Sequence, residues 1–347
     1  MSSNPDALSQ AIRKLALRQD LSAEETEAAF TVVMDGRASE TQISALLMGL
    51  RAKGETADEV AGGVRALQNA MVEVTVPDPD AVVDTCGTGG GSLTTFNIST
   101  AAAFVLAGGG VRVAKHGNRS FSSRCGSADV LEALGVNVSL TPEKMADVME
   151  RVGLTFMFAP ALHPAMKHVA PVRRALGVPT IMNVLGPLTN PARARRQVVG
   201  VSHPGLLRLV AEALQRLGHI RGMVVHGVPG MDELSPLGST EVVILEEGEL
   251  QAMTFDAAAE LGWNDMDASE LAGARPEENA RIIQEVLSGD GARAARAAVA
   301  LNAAAGFYVA GRVDALDEGL ALAESVLDEK TGLDVLEKLR QATTPAE

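Results

Sequence analysis

The first seventy or so residues place apolar side chains at helical spacing, as in Ala7, Ile12, Leu15 and Leu17, and predict four short helices joined by tight turns. Ser22 with Glu25, Ser39 with Gln42 and Thr56 with Glu59 each set a hydroxyl three residues before a carboxylate or carboxamide. That spacing lets the two side chains pair with unpaired N–H groups at a helix start. The stretch Val74–Asp80, with Pro77 and Pro79, breaks the pattern and reads as a linker. Beyond it the rhythm changes. Short apolar runs at Ala81–Asp84, Val111–Ala114, Leu154–Phe158, Val198–Val201 and Met223–His226 alternate with helical stretches, which predicts βαβ units around a mainly parallel sheet. Pro142 suits the first position of a helix running to about Arg151. Another helix is expected from about Pro164 to Leu176, basic on one side through Lys167, His168, Arg173 and Arg174. A hairpin, Thr240–Glu246 with Leu250–Phe255, precedes Ala-rich helices from about Pro276 to Leu339.

Length and composition narrow the function classes. A chain of 347 residues has room for about two domains and a sizeable core. With 46% hydrophobic and 21% charged residues the balance is that of a soluble globular protein. Aromatics are only 3%, so the core is aliphatic and base-stacking platforms lack raw material. The net charge of −14 repels phosphate backbones and anionic lipid, so neither nucleic acid nor membrane is an expected partner. Small anions remain open, because a few basic groups, backbone amides or a metal make a locally positive cleft. Two cysteines, Cys86 and Cys125, are too few for a disulfide scaffold. No apolar run reaches bilayer length, and no basic segment leads into an apolar one at the start, so a cytoplasmic protein is expected.

The densest chemistry begins at Asp84. A strand runs into glycines at 87, 89, 90 and 91, and Thr95, Asn97, Ser99 and Thr100 lead on into an apolar helix. Glycine lets backbone N–H groups converge, and a helix start adds unpaired donors and partial positive charge, so the loop suits a phosphate. A plain strand-to-helix turn needs glycines too. A Walker loop is excluded because no Gly-Lys pair occurs, and Ser92 stands where a dinucleotide fingerprint needs its last glycine. One strand later, Lys115-His116-Gly117-Asn118-Arg119-Ser120, followed by Ser122, Ser123 and Ser127, forms a second concentration of anion donors. Neighbouring parallel strands open onto one crevice at their carboxyl ends, so the two loops are expected to face each other. Asp232 and Glu233 sit side by side after the strand at 223–226. Opposite phosphate-binding loops, such hard oxygen ligands suit Mg²⁺. The six histidines show no zincin spacing, and no Gly-x-Ser-x-Gly elbow occurs.

Gly87-Thr88-Gly89-Gly90, Asn97-Ile98-Ser99-Thr100, Lys115-His116-Gly117-Asn118-Arg119, Gly126-Ser127-Ala128-Asp129, Leu185-Gly186-Pro187-Leu188-Thr189-Asn190-Pro191 and Met231-Asp232-Glu233 stand in one order. In that order the chain resembles the anthranilate phosphoribosyltransferases of tryptophan biosynthesis along essentially its whole length. The resemblance implies a small all-helical domain hinged to a larger α/β domain with a mainly parallel central sheet, as in nucleoside phosphorylases. It implies that the helical domain is discontinuous, residues 1–73 plus about 163–184, and that it forms a homodimer. The α/β domain then comprises about 74–162 plus 185–347. The implied reaction moves a 5-phosphoribosyl group from phosphoribosyl pyrophosphate to the amine of anthranilate. Carried over by motif, Gly87, Gly90, Gly91, Thr95, Asn97, Ser99, Thr100, residues 115–123 and Ser127 would hold phosphoribosyl pyrophosphate. Ser99, Asp232 and Glu233 would organise Mg²⁺. Gly87, Asn118 and Arg173 would line the anthranilate side, with the Arg173 fork facing the carboxylate. The catalytic set would be Asp232, Glu233 and Arg173. His116 is a candidate acceptor for the amine proton, or merely shapes its loop. One departure stands out: Gly91 occupies a position where the family usually has aspartate, and a changed magnesium optimum is expected. The competing readings are a pyrimidine-nucleoside phosphorylase, and a paralogue turned to nucleic-acid binding, for which a basic face and a degraded acceptor site would be expected.

Overall fold

The computed structural model describes residues 6–120 and 124–344. Four helices open the chain: α1 (Ala7–Ala16), α2 (Ala23–Met34), α3 (Glu40–Lys53) and α4 (Ala57–Ala70). All three expected capping boxes form, at Ser22/Glu25, Ser39/Gln42 and Thr56/Glu59. Glu59 is fully buried because it does more than cap: Oε1 accepts from Leu21 N at 2.9 Å, and Oε2 accepts from Lys53 Nζ at 3.1 Å.

The larger part alternates strand and helix. In chain order it runs β1 (Val82–Gly87), α5 (Ile98–Gly108), β2 (Arg112–Gly117), α6 (Ser127–Ala133), α7 (Pro142–Val152) and β3 (Leu154–Phe158). Next come α8 (Ala159–Leu162), α9 (Ala170–Leu176), α10 (Met182–Leu185), β4 (Arg196–Gly200), α11 (Leu207–Arg216), β5 (Arg221–Gly227) and the hairpin β6 (Ser239–Glu246) and β7 (Glu249–Asp256). The chain closes with α12 (Ala257–Leu261), α13 (Pro276–Ser288), α14 (Arg293–Ala310), α15 (Leu316–Asp328) and α16 (Thr331–Thr343).

The seven strands form one sheet in the order β3-β2-β1-β4-β5-β6-β7. The first five are parallel and the hairpin adds antiparallel β6 and β7. Strand alternation sorts the core: Val83, Val198, Met223, Val225, Val242 and Ile244 face α5 and the C-terminal helices. Their neighbours Val199, Val224, Val243 and Leu245 face α11 and the N-terminal helices. Strand order reverses between β1 and β4, the kind of switch point where open α/β sheets bind ligands beyond the carboxyl ends of the strands.

Two expectations need correction. The single helix expected from Pro164 to Leu176 is split into a 3₁₀ turn, Pro164–His168, and α9. Pro171 lacks an N–H and its ring would strike a carbonyl one turn back, so a new helix starts with Pro171 in its first turn. The expected linker is not a solvated tether: Val74 and Val76 are buried, and Val74 N donates to Pro191 O at 3.0 Å. Val169, Val172, Ile181 and Met182 share one buried cluster with α1–α4. Among the described residues no helix is long and apolar enough to cross a membrane.

Candidate active site

Three glycines end adjacent parallel strands: Gly87 on β1, Gly200 on β4 and Gly227 on β5, with Gly87 and Gly200 in register. The segment Met231–Leu234 lies flat across them. A Cβ on Gly87 would overlap Asp232 Oδ2, one on Gly200 would overlap the Asp232 carbonyl oxygen, and one on Gly227 would come within 2.5 Å of the Glu233 carbonyl oxygen. The missing side chains are what let two carboxylates be seated on the strand ends. Sequence reasoning misses Gly200 and Gly227; a glycine ending an apolar strand is the available signal.

Asp232 Oδ2 accepts from Gly89 N at 2.9 Å, which brings the glycine loop and the acids together. Ser92 N donates to Gly230 O at 2.9 Å and Ser92 Oγ to Pro229 O at 2.8 Å, closing the loop from the other side. Burial pushes the pKa of both acids up. For Asp232 the Gly89 amide opposes the rise; for Glu233 the neighbouring Asp232 charge adds to it. Glu233 Oε2 is shielded from solvent and has no hydrogen-bond partner among the described residues. Beneath the pair is a cavity lined by Thr85, Ser99, Asp232, Glu233 and Asn302, among others.

Lys115 bonds to two residues that line it, Thr85 and Ser99. It is buried on β2, and its Nζ donates to Thr85 O at 2.7 Å and Ser99 Oγ at 3.2 Å. Burial lowers its pKa, against the pull of Asp84 and Glu233. Lys115 is therefore bonded to Ser99 and lies within the electrostatic reach of Glu233. Among the described residues no group of three or more His, Cys, Asp and Glu side chains forms a metal cage. The set does fit Mg²⁺, whose usual shell combines one or two carboxylates with water and substrate phosphate, and an orphaned carboxylate oxygen is a ready ligand.

Other expected residues are placed differently. His116, one residue along β2, points to the opposite face, where its Nε2 lies 3.2 Å from His163 Nε2. Burial first, then His163 and Lys115, lowers its pKa to about 3, and burial lowers that of His163 to about 4. Arg119 is held by Asp129 at 3.0 Å and Glu132 at 2.5 Å, and its guanidinium lies over the Phe158 ring. Asp129 also accepts from Ser120 N at 3.1 Å and Gly126 N at 2.8 Å, so it ties these two residues together. Asn118 O accepts from Ser127 Oγ at 3.2 Å, and a Cβ on Gly117 would overlap that hydroxyl. Asn97 uses its amide internally, donating to Cys125 O at 3.3 Å and accepting from Asn279 at 2.9 Å. Thr100 buries a hydroxyl with no partner, and Thr95 bridges to Ala272. Gly90 is exposed with φ +81°, a conformation glycine adopts without strain. Ser122 and Ser123 lie outside the described residues. Arg173, on α9, is half-buried, and among the described residues its guanidinium has no hydrogen-bond or ion-pair partner. Burial lowers its pKa.

His116, His163 and His219, the last also lowered to about 4 by burial, make stability depend on acid. The unfolded imidazoles take protons near pH 6.5 while the folded ones stay neutral, so stability is full above that pH and falls as pH drops toward the folded values. At pH 5 each costs about 2 kcal/mol, by the 1.36 kcal/mol per pK unit of linkage. Urea titrations at pH 7 and pH 5 are expected to differ by several kcal/mol, and a His163→Gln variant to lose less on acidification; equal losses would contradict the assignment.

Comparisons with known proteins match this architecture. Residues 9–71 match the helical bundle domain of a glycosyl transferase family, and residues 79–332 match its α/β domain. The anthranilate phosphoribosyltransferase of Rubrobacter xylanophilus is 46% identical over 331 residues, covering 95% of this chain and 96% of the relative. The chain belongs to the anthranilate phosphoribosyltransferase family. Among solved structures, the anthranilate phosphoribosyltransferase of Thermus thermophilus is 44% identical with a TM-score of 0.90, covering 96% of this chain and 99% of that one. That of Saccharomyces cerevisiae, solved with phosphoribosyl pyrophosphate and Mg, is 27% identical with a TM-score of 0.87 and 99% coverage of both chains.

Gly91, the position at which the resemblance implies an aspartate, stands against the turn before Asp232. A Cβ here would come within 2.6 Å of Gly230 O, the carbonyl that accepts from Ser92 N. Gly91→Asp therefore has to displace the 229–231 turn as well as add a charge. The rate against Mg²⁺ is expected to shift between wild type and variant; superimposable curves would remove the argument.

Proposed function

We propose that the crevice beyond β1, β2 and β4 transfers the 5-phosphoribosyl group from phosphoribosyl pyrophosphate to the amine of anthranilate. The products are N-(5-phosphoribosyl)anthranilate and pyrophosphate, and the reaction belongs to tryptophan biosynthesis. The observation that carries this is the seating of Asp232 over Gly87 and Gly200 at the sheet's switch point, with Glu233 over Gly227 beside it, in a chain of this family. The glycine loop with Lys115, Gly117, Asn118, Ser120 and Ser127 holds the sugar phosphates. Asp232, Glu233 and Ser99 hold Mg²⁺, which when bound neutralises charge on the leaving pyrophosphate.

The aromatic amine of anthranilate is already neutral at pH 7, so no residue needs to deprotonate it before attack. The chain's work lies in the leaving group and in alignment. The backbone N–H groups of Gly90 and Gly91, beside Thr88 N and Gly89 N that bond to Gly200 O and Asp232, face charge that grows as the bond to pyrophosphate breaks, and as fixed donors they need no reorganisation. Arg173, without a partner among the described residues, offers two parallel donors to the anthranilate carboxylate. Alignment of the two substrates contributes up to roughly 7–11 kcal/mol. Neutral and paired behind β2, His116 acts on the loop's shape and not as the proton acceptor.

Residues 1–73 and about 163–184 act as one helical domain, supported by the cluster that Val169, Val172 and Ile181 share with α1–α4. Its hinging brings Arg173 toward Gly87 and Asn118 and excludes water. The protein works as a cytoplasmic homodimer through this domain.

The test mixes purified protein, Mg²⁺, phosphoribosyl pyrophosphate and anthranilate and follows the fluorescence of the aromatic amine. Loss that requires all four components is expected. Phosphorolysis of thymidine without any turnover of anthranilate would replace this reading with the phosphorylase one.

A further inference from the structure

We infer that Asn302 is a positioning residue for the Asp232–Glu233 pair, an inference that rests on the proposed magnesium-bearing role of those acids. Asn302 lies on α14, a helix built almost wholly of buried alanines and aliphatic residues, and is itself buried. An amide in such surroundings is costly unless its polar atoms are paired. Asn302 Oδ1 accepts from Leu234 N at 3.0 Å, while Nδ2 donates to Leu234 O at 2.9 Å and to Ala298 O at 2.9 Å. The carboxamide thus pairs with both backbone groups of Leu234, much as a neighbouring strand would, and its bond to its own helix fixes which way it faces.

The consequence reaches the acids through one peptide. Leu234 N belongs to the peptide unit that begins at the Glu233 carbonyl, and that carbonyl is the one pressed against Gly227. Gly200 and Gly227 support the segment from the sheet, and Asn302 holds its next residue from the helix layer. Asn302 also lines the cavity under Glu233, whose Oε2 has no partner of its own. With nothing bonded to that oxygen among the described residues, the carboxylate's position follows the backbone and its neighbour Asp232. Asn302 touches neither substrate nor metal in this account; it sets where the carboxylates stand.

The experiment compares Asn302→Leu, near in volume and without polar atoms, and Asn302→Asp, which keeps an acceptor and loses the donor. Calorimetry measures uptake of phosphoribosyl pyrophosphate across a Mg²⁺ series, hydrogen exchange follows the peptide covering residues 231–236, and kinetics give KM for both substrates. The expected result is faster exchange at Leu234 and a half-saturating Mg²⁺ raised about tenfold to a hundredfold, the range typical for outer-shell partners of metal ligands. The KM for anthranilate should stay within about twofold, since Arg173 and Asn118 lie on other elements. A folded variant with faster exchange but unchanged Mg²⁺ and phosphoribosyl pyrophosphate binding would overturn the inference and leave Asn302 a packing residue. Wild-type protein that takes up no phosphoribosyl pyrophosphate with Mg²⁺ would overturn the function reading instead. If Asn302→Leu does not fold, Asn302→Asp carries the same two outcomes.

Discussion

Gly200→Ala is expected to lower kcat by at least about a hundredfold, the loss typical of displacing a reacting constellation by an ångström. The new methyl would sit on the Asp232 carbonyl oxygen and within 3.1 Å of its Cα, and backbone cannot swing aside as a flexible side chain does. Asp232–Glu233 must lift off the strand ends, taking Asp232 away from Gly89 N and both carboxylates away from the cavity they share with Ser99. The overpacking itself costs about 1–3 kcal/mol, too little to unfold a chain with a core of this size. Gly186→Ala is the control, since a Cβ there meets nothing within 4 Å. Steady-state kinetics with melting curves decide it: an alanine variant with normal turnover would show that the acids do not depend on this platform.

Arg173→Ala is expected to raise the KM for anthranilate about 10- to 100-fold while changing that for phosphoribosyl pyrophosphate little. A hydrogen bond to a charged group is worth roughly 1.5–3 kcal/mol, which sets that range. The half-buried guanidinium has no partner to lose among the described residues, so truncation removes substrate binding and little else. Arg173→Lys should recover only part of the loss, because one ammonium cannot match both carboxylate oxygens. Equal increases in both KM values would place Arg173 elsewhere in the reaction.

The parts of this fold that are legible in the sequence are those whose cause is local. Ser22, Ser39 and Thr56 announce helix starts three residues ahead, and β3 at Leu154–Phe158 is a buried parallel strand bounded as its apolar run predicts. Pro171 is a local signal that the expected 164–176 helix passed over: its ring opens a new helix there. The side that His116 faces can be counted by twos from Val113, which shares its face with Lys115. What stays hidden depends on approach between distant segments. Gly200 gains its meaning only when Asp232 lies against it, and Arg119 reads as an anion donor until Glu132 is seen to hold it. Asn302 looks like one polar residue in an alanine helix, and only its pairing with Leu234 shows why an amide is there.

The most direct measurement is a crystal structure of the protein soaked with phosphoribosyl pyrophosphate and Mg²⁺. Pyrophosphate density is expected against the amides of Gly90 and Gly91, with a cation between it and the carboxylates of Asp232 and Glu233. Sugar diphosphate bound away from the ends of β1 and β4, or bound there with both carboxylates remote from it, would contradict the account.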